Sequence, residues 1–392
     1  MTAVRRASRQ GNAKEASMLL FEPFRINAKL SLENRIVMPP VVTRLAAVTG
    51  HVTDKLIERY LMYARGGAGL VITEAVSVQE QKSGQLLRLN SDEFNPGLKK
   101  LTERIHGETS ARIAPQIIHF LKISRSGYRQ KVEDLTIDEI RGIPTLFAEA
   151  AARAREVGFD AVELHYAHAY TMSSFLSRHN RRDDEYGGNL KNRLRLGGEV
   201  LLAVRRKVGA DFVVGARING DEFTMGGNTL AQSKPIALRL AELGLDYISV
   251  SAGGRFEDAI PRPGESLDPY TGYSGQRSMP PAWMDKKVNV YLAAAIKAVL
   301  NEAGHTLPVI TAGRIPDAET ANGILEAGEA DLIGVARPIL CDPYWPAKSK
   351  EKRENEILKC IYCNECREAE GAFEEVICAR WKKNGVMTPP KP

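Results

Sequence analysis

Short apolar runs recur along the chain at intervals long enough to hold a helix between each pair. They read RIVM (35–38), GLVITEAV (69–76), RIAPQII (112–118), FDAVEL (159–164), FVVGARI (212–218), LDYISV (245–250), LPVIT (307–311) and ADLIGV (330–335). Most are separated by stretches whose apolar residues repeat at three and four positions, such as EIRGIPTLFAEAAARAREVG and LAQSKPIALRLAELG, which is the helical period. Runs that are apolar at consecutive positions predict strands covered on both faces, as in a parallel sheet. Eight such units predict an α/β fold, a (β/α)8 TIM barrel, ahead of a doubly wound open sheet. No G-x-G-x-x-G follows any run, so no Rossmann dinucleotide site is visible, and RGGAGL (65–70) reads as a glycine-rich turn from helix into strand.

The length of 392 residues, 43% of them hydrophobic, allows one barrel-sized core with an appendage. The formal charge of +6 comes without Lys/Arg runs or interleaved aromatics. That balance argues against nucleic acid and suits an anionic small substrate or cofactor. No apolar run reaches the roughly 18 residues of a membrane span, and the basic opening lacks the apolar core of a secretory signal. A soluble, cytoplasmic protein is expected. Its expected parts are a basic tail over 1–17, a barrel over 18–350 and a Cys-rich extension over 351–392.

A barrel carries its chemistry where strands end, on the C-terminal face. Gln116 and His119 end the third run, HYAHAY (165–170) follows the fourth, Arg217 ends the fifth, and TAGRI (311–315) and VARP (335–338) follow the seventh and eighth. Gly313, Arg314, Ala336 and Arg337 stand where converging backbone N–H groups of such barrels hold a phosphoryl group. Ordinary turn chemistry, with Arg337 in an ion pair, is the alternative. His165 and His168 can present their rings to one side. A metal pair would need a third ligand, and no carboxylate stands at a motif spacing. Two structural histidines are a second reading. A third is a pair of N–H donors aimed at one substrate oxygen, with Tyr170 as the nearby acid, which suits a carbonyl oxygen gaining charge while a carbon gains a proton.

Four of the five cysteines lie in CIYCNECREAEGAFEEVIC (360–378), a C-x2-C-x2-C-x11-C pattern. In a reducing compartment this points to a metal or cluster rather than to disulfides. Four thiolates suit a 4Fe-4S cubane and zinc about equally. Cys341 is left over, as a small buried apolar residue.

Several motifs then occur in order: NRIVMPP (34–40), ARGGAGLVITEA (64–75), HYAHAY, FLSRHNRRDDEYGGNLKNRLR (175–195), ARI (216–218) and VARPILCDP (335–343). Through them the chain resembles the old yellow enzyme family of FMN-dependent oxidoreductases over nearly all of residues 18–346. The resemblance implies that Pro39, Pro40, Val41 and Ala75 border the flavin ring, that Gln116 bonds its pyrimidine edge and that Arg217 lies by N1. It implies phosphate contacts at Gly313, Arg314, Ala336 and Arg337. His165 and His168 would bind the activating oxygen of the substrate, and Tyr170 would donate the proton.

A similar cysteine tail marks the iron-sulfur branch of that family, which includes dienoyl-CoA reductases, enoate reductases and trimethylamine dehydrogenase. By that likeness Cys360, Cys363, Cys366 and Cys378 hold a 4Fe-4S cluster. The expected activity is reduction of an unsaturated carbonyl compound, carboxylate or CoA thioester. A flavin-dependent amine dehydrogenase or demethylase, whose tail spacing is the closer match, and an electron-transfer subunit are the alternatives. Members of the branch continue into a second flavin- and nucleotide-binding region. Either NAD(P)H or a separate electron-donor protein is therefore expected as reductant, with a homo-oligomer as the expected state.

Departures from the family pattern are also visible. PPVVTRL offers no thiol at Val42 or Thr43, HFLKISRSG replaces the usual HAGR and brings Phe120, Lys122 and Arg125, and Ala336 replaces a glycine. RRDDEYGG reads as a structural loop. Residues 251–283 are expected to set selectivity, with Tyr270, Tyr273 and Trp283 as candidate pocket walls.

Overall fold

The structure, a computed structural model, describes residues 18–28, 30–80, 85–122, 130–255, 272–381 and 389–392. The basic tail, Arg125, Tyr270 and the side chain of Tyr273 lie outside the described residues. Eight strands form the barrel: β1 (Ile36–Met38), β2 (Leu70–Ser77), β3 (Arg112–Ile118), β4 (Ala161–Tyr166), β5 (Val213–Asn219), β6 (Tyr247–Ser251), β7 (Val309–Ala312) and β8 (Leu332–Gly334). Each pairs in parallel with the next, and β8 returns to β1 with Ile333 opposite Ile36, so the sheet closes. The helices around it are α1 (Asp54–Arg65), α2 (Asn95–Glu108), α3 (Ile137–Glu156), α4 (Leu190–Val208), α5 (Leu230–Glu242), α6 (Val290–Glu302), α7 (Ala318–Glu326) and α8 (Trp345–Lys350). This is the TIM barrel that the pattern predicts. Among the described residues no helix is long and apolar enough to cross a membrane.

Strands β4, β6 and β8 each begin two residues inside their apolar runs, behind a helix-ending glycine turn. Gly158, Gly244 and Gly328 take left-handed backbone at the ends of α3, α5 and α7. The N–H groups of Phe159, Leu245 and Glu329 bond back to Ala154, Leu240 and Ile324. The first residues after each helix thus close its C-terminus, where only glycine takes that turn without steric cost. An aspartate follows each turn: the carboxylates of Asp160, Asp246 and Asp331 accept the N–H groups of Ile113, Val214 and Val309 at 2.9, 2.8 and 2.9 Å. Each therefore clamps the start of the preceding strand, and each is paired with a cation, Arg112, Arg205 or Lys297. Asp246→Ala leaves the Val214 N–H and Arg205 without this partner, and a loss of about 1–3 kcal/mol is expected in urea denaturation. An unchanged midpoint would show that the clamp is ornamental.

An antiparallel hairpin of Phe24–Arg25 and Ser31–Leu32 plugs the N-terminal end of the barrel. Its Ile26, Leu30 and Leu32 pack with the inward residues Val37, Leu70, Ala114, Ala161, Val213 and Leu332. Above this apolar floor sits Glu163, fully buried, which accepts from Gln116 Nε2 at 2.8 Å and from the Tyr247 hydroxyl at 3.3 Å. Tyr247 fits inside only because residue 215 is glycine, since a Cβ there would lie 2.1 Å from the ring. Burial pushes the Glu163 carboxyl up, and the Arg217 charge opposes that shift.

The Cys-rich extension is bound to the barrel. Its helix α9 (Glu365–Gly371) is held by Arg44, which pairs with Glu370 at 2.8 Å. Arg59 of α1 donates to the Val376 carbonyl at 2.6 Å, and the Val376 N–H donates to the Thr43 carbonyl at 3.0 Å. Cys341 is fully buried and packs with Cys378 and Trp381, whose indole N–H donates to the Cys341 carbonyl at 2.7 Å.

Candidate active site

A cleft enclosing about 1170 Å³, part of it open to solvent, occupies the C-terminal mouth of the barrel. The structure brings every sequence-predicted strand-end residue but His119 into its wall. Pro39, Pro40, Val41, Ala75, Gln116 and Arg217 line one part, Gly313, Arg314, Ala336 and Arg337 another, and His165, His168 and Tyr170 a third. His119 does not join them, because its Nδ1 meets the Thr171 hydroxyl at 2.9 Å.

The histidine pair owes its geometry to a local break in strand β4. His165 is still in the strand, while His168 and Ala169 both have left-handed backbone, φ 64° and 61°. That turn carries Tyr170 to the start of a short helix, Thr171–Leu176. The tightness is shared by Gly254, whose backbone bridges His168 and where a Cβ would lie 2.4 Å from the His168 Cα. Non-glycine residues adopt such backbone at a cost, so the surroundings must fix it. The result sets the His165 ring 5.1 Å from that of His168 and 5.0 Å from that of Tyr170, centroid to centroid.

Both imidazoles are neutral. Burial, then the Arg217 charge, lowers His165 to about 3, and burial, then His165, Arg217 and Arg255, lowers His168 well below its ordinary value. The Ala167 N–H points at His165 Nδ1 at 3.4 Å. A backbone N–H can only donate, so Nδ1 accepts and the ring proton sits on Nε2. His168 Nε2 lies 2.7 Å from the Ser251 hydroxyl.

The remaining walls are cationic. Arg217 is buried and donates to the hydroxyls of Ser249 at 2.9 Å and Ser251 at 3.3 Å, while its Nε has no partner among the described residues. Arg314, at φ 55°, and Arg337 stand at the opposite end. Four guanidiniums, with Arg367 the fourth, line one cleft and favour an anionic ligand.

Residues 19–356 match the model of the NADH:flavin oxidoreductase / NADH oxidase family. The chain belongs to that family. Membership agrees with the old yellow enzyme likeness of the motifs and implies a flavin cofactor. The NADH oxidase of Thermoanaerobacter brockii is 38% identical over 366 residues, 88% of this chain and 52% of that protein. The chain thus spans about half the length of that relative. The NADPH dehydrogenase of Geobacillus sp. is 33% identical over 85% of this chain and 94% of its own length. The solved 2-naphthoyl-CoA reductase complex superposes with a TM-score of 0.79 at 24% identity, over 91% of this chain and 56% of that one, and shares the fold. The cleft of this flavin oxidoreductase family member fits flavin mononucleotide: the unpartnered Nε of Arg217 lies in its depth, and Arg314 and Arg337 suit a phosphate.

Cys360, Cys363, Cys366 and Cys378 are all free, with Cys363 exposed and Cys378 buried. Cys366 is affected by the charge of the other three, which places the four in one neighbourhood. Among the described residues no three His, Cys, Asp or Glu side chains are grouped to hold a metal ion. Of the four, Cys366 also lines the cleft.

Several wall residues carry no local signal in the sequence. Met279, Pro280, Tyr362, Glu370 and Val376 reach the cleft from segments remote from the strand ends they meet. Arg255 places its guanidinium 5.4 Å from the Tyr170 ring. Trp283, expected as a pocket wall, is instead 67% exposed and does not line the cleft, because its segment turns outward after Pro281. RRDDEYGG is structural: Arg182 pairs with Asp184 and donates to the Val132 and Leu135 carbonyls at 2.6 and 2.8 Å. Residue 187 must be glycine there, since a Cβ would lie 2.3 Å from the Arg182 carbonyl oxygen.

Proposed function

We propose that the chain saturates the activated double bond of an α,β-unsaturated carbonyl compound, carboxylate or CoA thioester. The observation that carries this reading is the grouping of two neutral imidazoles and a phenol in the cleft, the His165 ring lying 5.1 Å from that of His168 and 5.0 Å from that of Tyr170. Flavin mononucleotide, when bound, supplies the hydride to the β-carbon. The chain's own residues handle oxygen and proton. His165 Nε2–H, with the His168 ring beside it, donates to the carbonyl oxygen as charge gathers there, and Tyr170 gives its phenolic proton to the α-carbon. Pro39, Pro40, Val41 and Ala75 border the ring system, Gln116 meets its pyrimidine edge, and Arg217 answers negative charge on the reduced ring. Gly313, Arg314, Ala336 and Arg337 hold the phosphate. Arg255, beside Tyr170, gives the substrate mouth a positive charge that suits carboxylates and thioester phosphates.

Cys360, Cys363, Cys366 and Cys378 are proposed as the ligands of a 4Fe-4S cluster, one thiolate to each iron. Such a cluster would supply electron relay from a protein donor, with NAD(P)H as the alternative reductant. Anaerobic purification with flavin, iron and sulfide analysis tests the cofactors. The decisive measurement mixes photoreduced protein with enones, enoates and enoyl thioesters and follows flavin reoxidation together with the saturated product. Reoxidation by none of them, with amines instead bleaching the oxidised protein, overturns the proposal.

A further inference from the structure

Tyr362 lies between Cys360 and Cys363, yet its ring is inserted into the far end of the cleft. It is 7% exposed and sits at φ 58°, a left-handed backbone that a bulky side chain rarely takes. Such a placement persists only where the surroundings fix it. Here the Arg314 guanidinium lies 4.4 Å from the ring centroid and that of Arg337 4.7 Å, so one phenol ring is shared by both arginines. Its hydroxyl has no hydrogen-bond partner among the described residues, so the ring face does the holding. Two residues on, Asn364 is also left-handed, at φ 66°. It accepts a hydrogen bond from Arg337 Nη1 and donates to the Met279 carbonyl at 3.0 Å. Arg337 is therefore held on two sides by residues of the cysteine tail.

We infer that Tyr362 and Asn364 are positioning residues for the phosphate site, so that the barrel's phosphate grip is completed by the Cys-rich extension. This deepens the reading of Arg314 and Arg337 as phosphate ligands and rests on it. Because the two tail residues flank Cys363, whatever orders the thiolates also sets the two arginines, and binding at one place strengthens binding at the other.

The test titrates the flavin-free full chain with FMN and with riboflavin, which differ by the phosphate alone. Tyr362→Ala is expected to weaken FMN about tenfold, the scale of a stacked cation contact, and to leave riboflavin unchanged. Tyr362→Phe is expected to restore wild-type FMN affinity. Asn364→Ala is expected to repeat the FMN-selective loss, and it alone decides the matter if Tyr362→Ala does not fold. The inference is overturned if the alanine variants bind FMN normally, if FMN and riboflavin weaken equally, or if phenylalanine fails to restore binding. Arg337→Ala separates the two levels. If it too leaves the preference for FMN over riboflavin intact, the phosphate-site reading fails; if it abolishes the preference while Tyr362→Ala does not, only the role of the tail fails.

Discussion

Replacing Tyr170 by phenylalanine is expected to slow alkene reduction ~10²- to 10⁴-fold while the protein stays yellow. The substitution removes an oxygen and keeps the ring, so the packing against His165 survives. Neither histidine can take over the proton transfer, because burial and the Arg217 charge hold both imidazoles neutral. A neutral imidazole N–H is a hydrogen-bond donor and a very weak acid. The two half-reactions therefore separate: reduction of the flavin by the donor is expected to be unchanged, and its reoxidation by alkene to be slow, as stopped-flow absorbance would show. Wild-type reoxidation in Tyr170→Phe would remove the phenol from the chemistry.

His165→Ala is the second large effect, with an expected loss of ~10²- to 10³-fold in the same half-reaction, the usual result of deleting one preorganised donor to a developing oxyanion. The pH dependence gives an independent check. His165 is lowered to about 3 and His119 to about 4 from an ordinary value of 6.5. Neither ring titrates near neutrality, so the rate profile of the wild type should show no histidine limb there. Stability behaves differently. Both rings are harder to protonate folded than unfolded, so their contribution is complete above about pH 6.5 and is lost progressively as pH falls toward 3. His165→Ala should accordingly show a shallower fall in thermal midpoint between neutral pH and pH 4 than the wild type. A rate limb near neutrality that vanishes in His165→Ala would show that the ring is charged in the working site.

Much of this arrangement is legible along the chain. The eight strands announce themselves because both of their faces are buried, and the residues at their ends fall into the cleft because a closed parallel sheet leaves them nowhere else to go. What is not legible depends on shape. The starts of β4 and β6 are displaced because Phe159 and Leu245 are used to finish helices, an allocation that hydrophobicity cannot report. HYAHAY suggests two imidazoles and a phenol, but their meeting depends on left-handed residues at 168 and 169 and on the bare backbone of Gly254. Trp283 looks like a wall in the sequence and stands in solvent, while Tyr362 looks like a spacer between cysteines and is a wall. Long-range contacts of that kind leave no periodicity behind.

The hairpin beneath the barrel has a kinetic meaning. With Ile26, Leu30 and Leu32 corking the lower opening, traffic passes through a single threshold at the top. On the proposed function, NAD(P)H and the unsaturated acceptor would share that doorway and have to take turns, whereas a protein donor acting through the cysteine tail would not be bound by it.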